Sequence, residues 1–580
     1  MASSERLHAM DATGTAAFSD TTHLPDNVSN EPNPKRAVPA SISSGLSSPP
    51  IGPWRKIHWG LLAVALAILV VAGQGQHFFY DEWAFIGGKL DALPFADRYL
   101  LPHNEHWSML PVLAYRTLRA TVGVGSYWPY LGLLLLLHLG VTHVLWRLML
   151  VTGSKPIVAT ALAAVFSVLG AGAEDLLWAF QIGFVGSTLL GVGAVCLTVT
   201  GTGSWHRIGV IAFLITASFA TSGVGLAYLI VVPLVLVQRV RRNAVLIFCL
   251  PLLVYVGWYA TYGSSLTHAA RATATLPLLV GAFIVVGLAA VLTRYFGFPD
   301  NLTCLLVVGV PILAGLALAC RDWWTDRTLA LRTPVAMSAG AVIFFGTVGL
   351  ARAGLGLGSA TSSRYIYVAG ALLLPAIALL ISRGVDRHAQ LMKAVVPVVV
   401  AMAVSNVFQL FAYARDTRDE NNSSRGVLVA ASDLVRSNSP IFTGQLPEPH
   451  LAPDLTTKDL GSRHLDPAFE GVIPGRPDRL TASLNLQIRV APTQGTDTAS
   501  SCRRAREQRI TIPTSRGTAP RFVLNADASV AFTLLGPGAH SAERVIVLPK
   551  GVYKINSLRE AADLTIESKS PTSLLARCET

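Results

Sequence analysis

The sequence predicts a mostly α-helical polytopic membrane protein with about eleven transmembrane helices, followed by an extracytoplasmic C-terminal domain that resembles a β-sandwich. Of its 580 residues, 52% are hydrophobic and 14% are charged, whereas a soluble domain carries about 25% charged residues. Apolar runs close to the ~20 residues that cross a bilayer recur between residues 57 and 412. Beyond residue 412 they give way to short alternating segments, which are typical of strands.

The net charge of +12 does not indicate nucleic-acid binding, because Lys and Arg mostly flank the apolar runs, as topology determinants do. Arg55 and Lys56 precede the first run, so the positive-inside rule places the N-terminus in the cytoplasm. Residues 1–54 contain no apolar run and are predicted to form a disordered cytoplasmic tail. We therefore expect a multi-pass protein of the plasma (cell) membrane, in contact with membrane lipids and with no nucleic acid.

The membrane domain is predicted to occupy residues 55–412, with an external loop over residues 76–126. The second half of this loop, 108–122, has helical apolar spacing and is predicted to lie on the membrane surface. The predicted apolar segments are 57–75, 127–149, 156–172, one ending near 200, two short ones within 208–237, 244–262, 275–292, 302–320, 334–351, 365–382 and 394–412.

The parity of these segments predicts that one of them does not cross. The basic stretches 238–242 and 321–332 both look cytoplasmic, yet three apolar segments separate them. One of 244–262, 275–292 and 302–320 is therefore expected to be re-entrant or interfacial, which is tolerated only where protein or water covers its backbone. We favour one of the later two. The alternative is that 321–332 is not cytoplasmic, since acidic residues dilute its charge.

Residues 413–580 are predicted to form an extracytoplasmic β-rich domain. A helix leaving the membrane is expected over 412–435, followed by an irregular Pro-rich stretch over 440–480. The predicted strands are 483–490, 509–512, 521–524, 529–534, 544–548 and 563–566.

Six cysteines fall into two groups. Those in apolar spans are expected to pack as small hydrophobic residues. Cys502 and Cys578 lie in the C-terminal domain, where a disulfide between them would tie the last strand back to the sandwich in an oxidising compartment. The cysteines of the apolar spans are Cys196, Cys249, Cys304 and Cys320.

An acidic pair, Asp81 and Glu82, follows the first span and is flanked by aromatic residues. Acids near hydrocarbon are costly and tend to be functional or paired. Adjacent side chains diverge, so we expect one carboxylate to point into a cavity and the other to pair with a neighbour. Asp81 is the candidate general base, with its pKa raised by desolvation. The alternative is that both acids simply cap the first span and meet water.

Two further polar clusters lie on the same predicted side of the membrane. His103, Glu105 and His106 occur within residues 102–107, and the three-residue spacing of the histidines permits, but does not demand, metal binding. Their alternative role is to cap the amphipathic helix. Glu174 and Asp175 form a second acidic pair, whose alternative role is to cap the following span.

Arg352 and Arg364 are the bases of a loop that is otherwise poor in charge, and Tyr365 follows the second of them. An Arg at the outer membrane edge can bind phosphate bidentately, and the hydroxyls of Ser362 and Ser363 would add donors. The alternative is a pair of snorkelling anchors for lipid headgroups. Positive charge outside opposes the usual topology bias, which favours the phosphate-binding interpretation.

Together these motifs resemble the GT-C superfamily of polyprenyl-phosphate-dependent membrane glycosyltransferases. The resemblance covers residues 57–412 and implies transfer of a sugar from a polyprenyl-phosphate-linked donor to an extracytoplasmic glycan, lipid or protein acceptor, with inversion at the anomeric carbon. It implies that Asp81, or failing it Glu82, deprotonates the acceptor, and that Arg364, with Arg352, stabilises the leaving phosphate. Some such enzymes use a divalent cation, for which Glu105, Glu174 and Asp175 could supply oxygens.

Two other functions fit the same sequence. A transporter or flippase of lipid-linked sugars would explain the many spans, although the acids gather on one predicted side instead of at the midplane. A non-catalytic scaffold for envelope assembly would explain the external domain, and its acids should then tolerate substitution.

Overall fold

The computed structural model describes residues 51–104, 106–201, 204–236, 241–263, 275–299, 301–325, 328–493, 507–536 and 540–578. Residues 1–50 of the predicted tail lie outside this part of the chain. Its last four residues, 51–54, are helical, because the first helix begins at Ile51.

Helices build the chain up to residue 487. They are α1 (Ile51–Ala72), α2 (Glu82–Ile86), α3 (Phe95–Leu100), α4 (Met109–Val122), α5 (Trp128–Val151), α6 (Pro156–Ser167), α7 (Glu174–Leu177), α8 (Ile182–Val199), α9 (Trp205–Phe219), α10 (Gly225–Leu236), α11 (Arg241–Thr261), α12 (Leu276–Tyr295), α13 (Leu302–Cys304), α14 (Val310–Trp324), α15 (Leu329–Arg352), α16 (Ser363–Arg387), α17 (Leu391–Arg436), α18 (Thr457–Gly461) and α19 (Arg476–Gln487). A π-helical segment, Leu305–Gly309, joins α13 to α14.

Within the described residues, nine helices are long and apolar enough to cross a membrane, and α6, α9 and α10 are shorter apolar helices. This confirms the predicted multi-pass architecture. The two short spans expected within 208–237 are α9 and α10. They meet at a tight turn where a Cβ atom on Gly225 would lie 2.4 Å from the backbone nitrogen of Phe219, so only glycine fits there.

Helix α12 contacts the segment 349–361 at two places. A Cβ atom placed on Gly349 of α15 would lie 3.3 Å from Phe283 and 3.4 Å from Val280, and Arg294 donates a hydrogen bond to the carbonyl of Thr361 at 2.7 Å. By length and composition α12 is nevertheless one of the candidate spans. We expect 275–292 to be the segment that does not cross; this assignment and the sidedness of the membrane both stay predictions.

The loop 76–126 and the segment after α17 are packed together. The amide of Tyr80 donates to the carbonyl of Leu451 at 2.6 Å, and the amide of Gly88 donates to Oδ1 of Asp459 at 2.8 Å. The predicted helix over 412–435 is the outer half of α17, a single helix of 46 residues. The long helix thus carries the C-terminal segment back over the loop 76–126.

Helix α4, Met109–Val122, confirms the helix predicted over 108–122. Its buried side chains are Pro111, Val112 and Tyr115, while Leu113 of the expected apolar face is 47% exposed. The leucine face was predicted to meet the membrane, so the exposure of Leu113 does not contradict it, and the placement of α4 on the membrane surface stays a prediction.

The C-terminal domain holds two four-stranded antiparallel sheets, in the orders β1-β6-β3-β8 and β2-β7-β4-β5. Phe522 and Phe532, from opposite sheets, meet at a centroid distance of 6.0 Å within a common core. The predicted sandwich-like fold is confirmed. The strands are β1 (Ile488–Pro492), β2 (Arg509–Thr514), β3 (Arg521–Leu524), β4 (Ala528–Leu535), β5 (Ser541–Leu548), β6 (Gly551–Ser557), β7 (Ala562–Ser568) and β8 (Leu575–Arg577).

One strand prediction is wrong. The segment 483–490 is mostly helical, because α19 continues to Gln487. Asp478 accepts a hydrogen bond from the amide of Gly475 at 2.8 Å, which starts the helix. Leu480 and Leu484, four residues apart, then pack on the sandwich core. Strands β6 and β8 were not predicted.

The expected disulfide and the expected packing of the other cysteines can each be compared with the structure in part. Cys578 is buried and disulfide-bonded, whereas its predicted partner Cys502 lies outside the described residues. The four cysteines of the apolar spans are free, and Cys249 among them is exposed on its helix.

Candidate functional site

A cavity of about 230 Å³ lies at the end of the bundle beside the loop 76–126. It brings together six of the predicted site residues from four separate segments. They are Asp81, His103, His106, Arg352, Arg364 and Tyr365.

Asp81 is held by the turn at residues 103–106. Asn104 Nδ2 donates to Asp81 Oδ2 at 3.3 Å, and His103 Nε2 lies 3.7 Å from Asp81 Oδ1. The turn itself is closed by two backbone hydrogen bonds between His103 and His106, of 3.0 and 3.1 Å. Backbone pairing thus presents both histidines to the cavity that Asp81 lines.

Strained backbone flanks this contact on both sides. Tyr80 and Asn104 adopt left-handed conformations, with φ of 50° and 52°. Such conformations cost about 1–3 kcal/mol for a residue with a side chain and concentrate at functional sites. These backbone conformations orient the side chains of Asp81 and Asn104 towards each other.

The electrostatics of Asp81 differ from the prediction. Burial raises the pKa of Asp81, but the hydrogen bonds from His103 and Asn104 and the positive charge of Arg364 lower it below the ordinary value of an aspartate. The prediction of a pKa raised overall for this carboxylate is therefore wrong, although burial alone acts in the predicted direction. Asp81 is ionised at neutral pH and ready to accept a proton.

Glu82 turns away from Asp81 and does not line the cavity. Its carboxylate accepts hydrogen bonds from the amide of Phe79 at 2.9 Å, from Tyr115 Oη at 2.5 Å and from Tyr127 Oη at 3.1 Å. Burial raises the pKa of Glu82 to about 8 in spite of these donors. The side chains of Asp81 and Glu82 diverge as expected: Asp81 lines the cavity, and Glu82 is hydrogen-bonded to neighbouring residues of the fold.

The Glu82 cluster also connects distant segments. Tyr127 Oη accepts a hydrogen bond from the amide of Ala179 at 2.7 Å. Through Tyr127, Glu82 links the loop 79–86 to the start of α5 and to the segment before α8. The position of Asp81 therefore depends on the fold of several elements at once.

Arg364, in the first turn of α16, enters the cavity beside Tyr365, with its guanidinium carbon 5.8 Å from the ring centroid. Its Nε lies 3.5 Å from Oε1 of Glu174. Ser363 donates its hydroxyl hydrogen to the carbonyl of Ala171 at 3.0 Å. The expectation that this hydroxyl donates to a phosphate is therefore wrong.

Glu174 and Asp175 do not line the cavity. They belong to the four-residue helix α7, and α8 begins only at Ile182, so they do not cap the following span either. Both acids are buried behind Arg364, and burial raises their pKa values, that of Asp175 well above normal. No hydrogen bond reaches either oxygen of Asp175 from the described residues.

In the part of the chain that is described, no three His, Cys, Asp or Glu side chains are close enough to bind one divalent cation together. Glu105, one of the three acids predicted as oxygen donors, lies outside the described residues.

Several cavity residues were not predicted. Asn104 lies inside the motif 102–107, and only its left-handed turn reveals that it faces Asp81. Gly223 lies between the two short spans α9 and α10, and a Cβ atom there would lie 2.9 Å from Nδ1 of His106. Phe85, Phe180 and Phe184 form an aromatic wall, which periodicity cannot distinguish from ordinary packing.

Another part of the cavity lining is apolar and comes from three helices of the bundle. Leu226 of α10, Tyr255 of α11, and Phe344 and Val348 of α15 line it. The site therefore joins a charged end near the external loop to an apolar side within the bundle.

No family model and no curated protein matches the chain. Among solved structures it is similar to ArnT from Cupriavidus metallidurans bound to undecaprenyl phosphate, with 13% identity, a TM-score of 0.42, and coverage of 74% of this chain and 92% of ArnT. It is also similar to the archaeal oligosaccharyltransferase AglB from Archaeoglobus fulgidus in complex with an inhibitory peptide and a dolichol-phosphate, with 12% identity, a TM-score of 0.40, and coverage of 67% and 58%.

Proposed function

We propose that this protein is an integral membrane glycosyltransferase that transfers one sugar from a polyprenyl-phosphate donor to a hydroxyl of an extracytoplasmic acceptor. The observation that carries the proposal is the cavity in which the carboxylate of Asp81 shares one space with Arg352 and Arg364. A base and a phosphate-binding cation in one cavity suit a reaction that removes a proton and releases a phosphate.

The donor phosphate binds Arg364 and Arg352. Guanidinium groups hold phosphate oxygens through charge-assisted hydrogen bonds. The apolar side of the cavity, which includes Phe344 and Val348, suits the first isoprenoid units of a lipid carrier. The donor thus enters with its lipid in the bundle and its sugar towards the loop 76–126.

Asp81 acts as the general base. The acceptor hydroxyl gives its proton to an Oδ atom of Asp81 as its oxygen bonds to the anomeric carbon. His103 and Asn104 hold the carboxylate in place. These two contacts also lower the proton affinity of Asp81. The proton is therefore transferred as the acceptor hydroxyl becomes acidic in the transition state.

The bond between the anomeric carbon and the phosphate oxygen breaks in the same step, and its electron pair stays on the phosphate. The leaving polyprenyl phosphate gains negative charge, which Arg364 and Arg352 stabilise where it develops. A single displacement of this kind inverts the anomeric configuration. The products are the glycosylated acceptor and polyprenyl phosphate.

The position of the cavity favours transfer over transport. Substrate sites of transporters lie near the bilayer midplane, whereas this cavity lies at the bundle end covered by the loop 76–126 and includes residues of that loop. We place this end, and the C-terminal domain packed on it, outside the cytoplasm.

The proposal is tested by comparing envelope glycolipids and glycans of the native host with and without the gene. Loss of one sugar residue and accumulation of its lipid-linked precursor are expected. Reintroducing the wild-type gene should restore the sugar, while Arg364→Ala should not, and the exposed-site control Arg489→Ala should. An unchanged envelope in the deletion strain would contradict the proposal.

A further inference from the structure

We propose that Glu174 is a positioning residue that anchors Arg364 in the wall of the cavity, so that the cation and the base stay apart. The inference rests on the proposed function and assigns a task to an acid that does not itself line the cavity. It also explains how two opposite charges can share a small space without neutralising each other.

The anchor is an ion pair with further support. Glu174 Oε1 lies 3.5 Å from Arg364 Nε and accepts a hydrogen bond from Gln181 Nε2 at 3.3 Å. Only 16% of the Glu174 side chain is exposed, against 32% of the Arg364 side chain. Because water screens a buried pair less than an exposed one, this contact is stronger than a surface ion pair.

Backbone contacts fix the two partners relative to each other. Ser363 Oγ accepts a hydrogen bond from the amide of Glu174 at 3.3 Å while it donates to the carbonyl of Ala171. The first turn of α7 is thereby fastened to the first turn of α16. Glu174 is bonded to Ser363, and Arg364 is the next residue after Ser363. The side chains of Glu174 and Arg364 therefore meet at a fixed place.

The charges of the site are divided into two pairs. Among the described residues, Arg364 pairs with Glu174, and Asp81 pairs with His103. Arg364 still acts on Asp81 through its charge. Without Glu174, the carboxylate that remains within the same cavity as Arg364 is Asp81, because Asp175 does not line it.

Loss of the anchor therefore has two predicted effects. Arg364 swings towards Asp81 and becomes less available to a phosphate, so lipid-phosphate binding weakens. The closer positive charge also favours the ionised form of Asp81 and lowers its pKa further. The charged or titratable groups that face Asp81 here are His103, His106, Arg352 and Arg364.

The test uses purified full-length protein in lipid nanodiscs. A short-chain polyprenyl phosphate without sugar serves as the binding probe, and the acid limb of the kcat/KM profile reports the base in the free enzyme. For Glu174→Leu we expect at least tenfold weaker binding of the probe and an acid limb at lower pH. Glu174→Asp keeps the charge but retracts it by one methylene, so both effects should be smaller and in the same direction.

Glu560→Leu is the matched control, because Glu560 is an exposed acid of the β domain, and it should behave as wild type. Unchanged probe affinity and an unmoved acid limb in both Glu174 variants would overturn the inference. So would a loss of thermal stability with an unmoved acid limb, which indicates a merely structural role. A wild-type protein that neither binds the probe nor transfers sugar would instead refute the proposed function.

Discussion

Asn104 donates a hydrogen bond to Asp81 at 3.3 Å across 23 residues of chain, and its own backbone is left-handed. A left-handed asparagine is tolerated because its short polar side chain can bond locally. Here the side chain bonds to the candidate base instead. Under the proposed function, an asparagine at this position serves to hold the base in place.

We predict that Asn104→Gly separates stability from activity. Glycine adopts positive φ without strain, so the thermal midpoint should stay equal or rise, while loss of the hydrogen bond to Asp81 should lower the transfer rate about 10–100-fold. Asn438→Gly is the matched control, because Asn438 also has a φ of 52° and lies just after α17. It should keep full activity, and equal loss in both variants would contradict the role of Asn104.

The raised pKa of Glu82 predicts a pH dependence of stability. A carboxylate whose folded pKa of about 8 exceeds its unfolded value of about 4.5 is protonated in the fold. Its contribution is complete below pH ~4.5 and is lost as the pH rises through about 8. Thermal midpoints of the detergent-solubilised protein should fall across this window, and Glu82→Gln should flatten the fall.

Glu560→Gln is the control, and it should leave the fall of the thermal midpoint with pH unchanged. Glu82→Ala should destabilise more than Glu82→Gln, since each buried donor left unpaired costs about 1–3 kcal/mol. A slope that Glu82→Gln leaves unchanged would show that another group sets the pH dependence.

Gly223→Ala should lower activity through His106. The added Cβ atom would lie 2.9 Å from Nδ1 of His106 and force the imidazole to move in the cavity. We expect a transfer rate reduced at least tenfold with a modest change in thermal midpoint. Gly209→Ala, where nothing lies within 4 Å of the new Cβ atom, should leave the rate unchanged; a wild-type rate for Gly223→Ala would exclude a tightly held His106.

Labelling of introduced cysteines tests both the sidedness and the path of α12. In a variant without native cysteines, Pro299→Cys and Gly358→Cys should both react with an impermeant maleimide from outside intact cells. His388→Cys, at the other end of α16, should react only after permeabilisation. Cytoplasmic labelling of Pro299→Cys would show that α12 crosses the membrane, and cytoplasmic labelling of Gly358→Cys would reverse the assigned sidedness.

The membrane architecture was predictable because apolar length alone decides which segments can span a bilayer. The parity argument predicted a surplus span between residues 244 and 320, which stays a prediction because all three segments are candidate spans by length and composition. The contacts of Phe283 and Arg294 with the segment 349–361 favour 275–292. Such contacts are tertiary and leave no periodic signal in the sequence.

The candidate site was predictable in its residue types but not in its electrostatics. Burial alone predicted a raised pKa for Asp81, whereas His103, Asn104 and Arg364 reverse the sign, and all three come from segments other than that of Asp81. Likewise, Glu82 and Glu174 were recognised as unusual acids. Their positions in a tyrosine cluster and behind Arg364 follow only from packing.

Sugar transfer by reconstituted Asp81→Asn tests the central claim most directly. Wild-type and variant protein in proteoliposomes would be supplied with radiolabelled polyprenyl-phosphate pentoses and hexoses, with envelope extract of the deletion strain as acceptor. The isosteric amide cannot take the acceptor proton, so we predict a rate at least 10²-fold below wild type, with unchanged binding of polyprenyl phosphate and unchanged thermal midpoint. Wild-type transfer by Asp81→Asn would contradict the account.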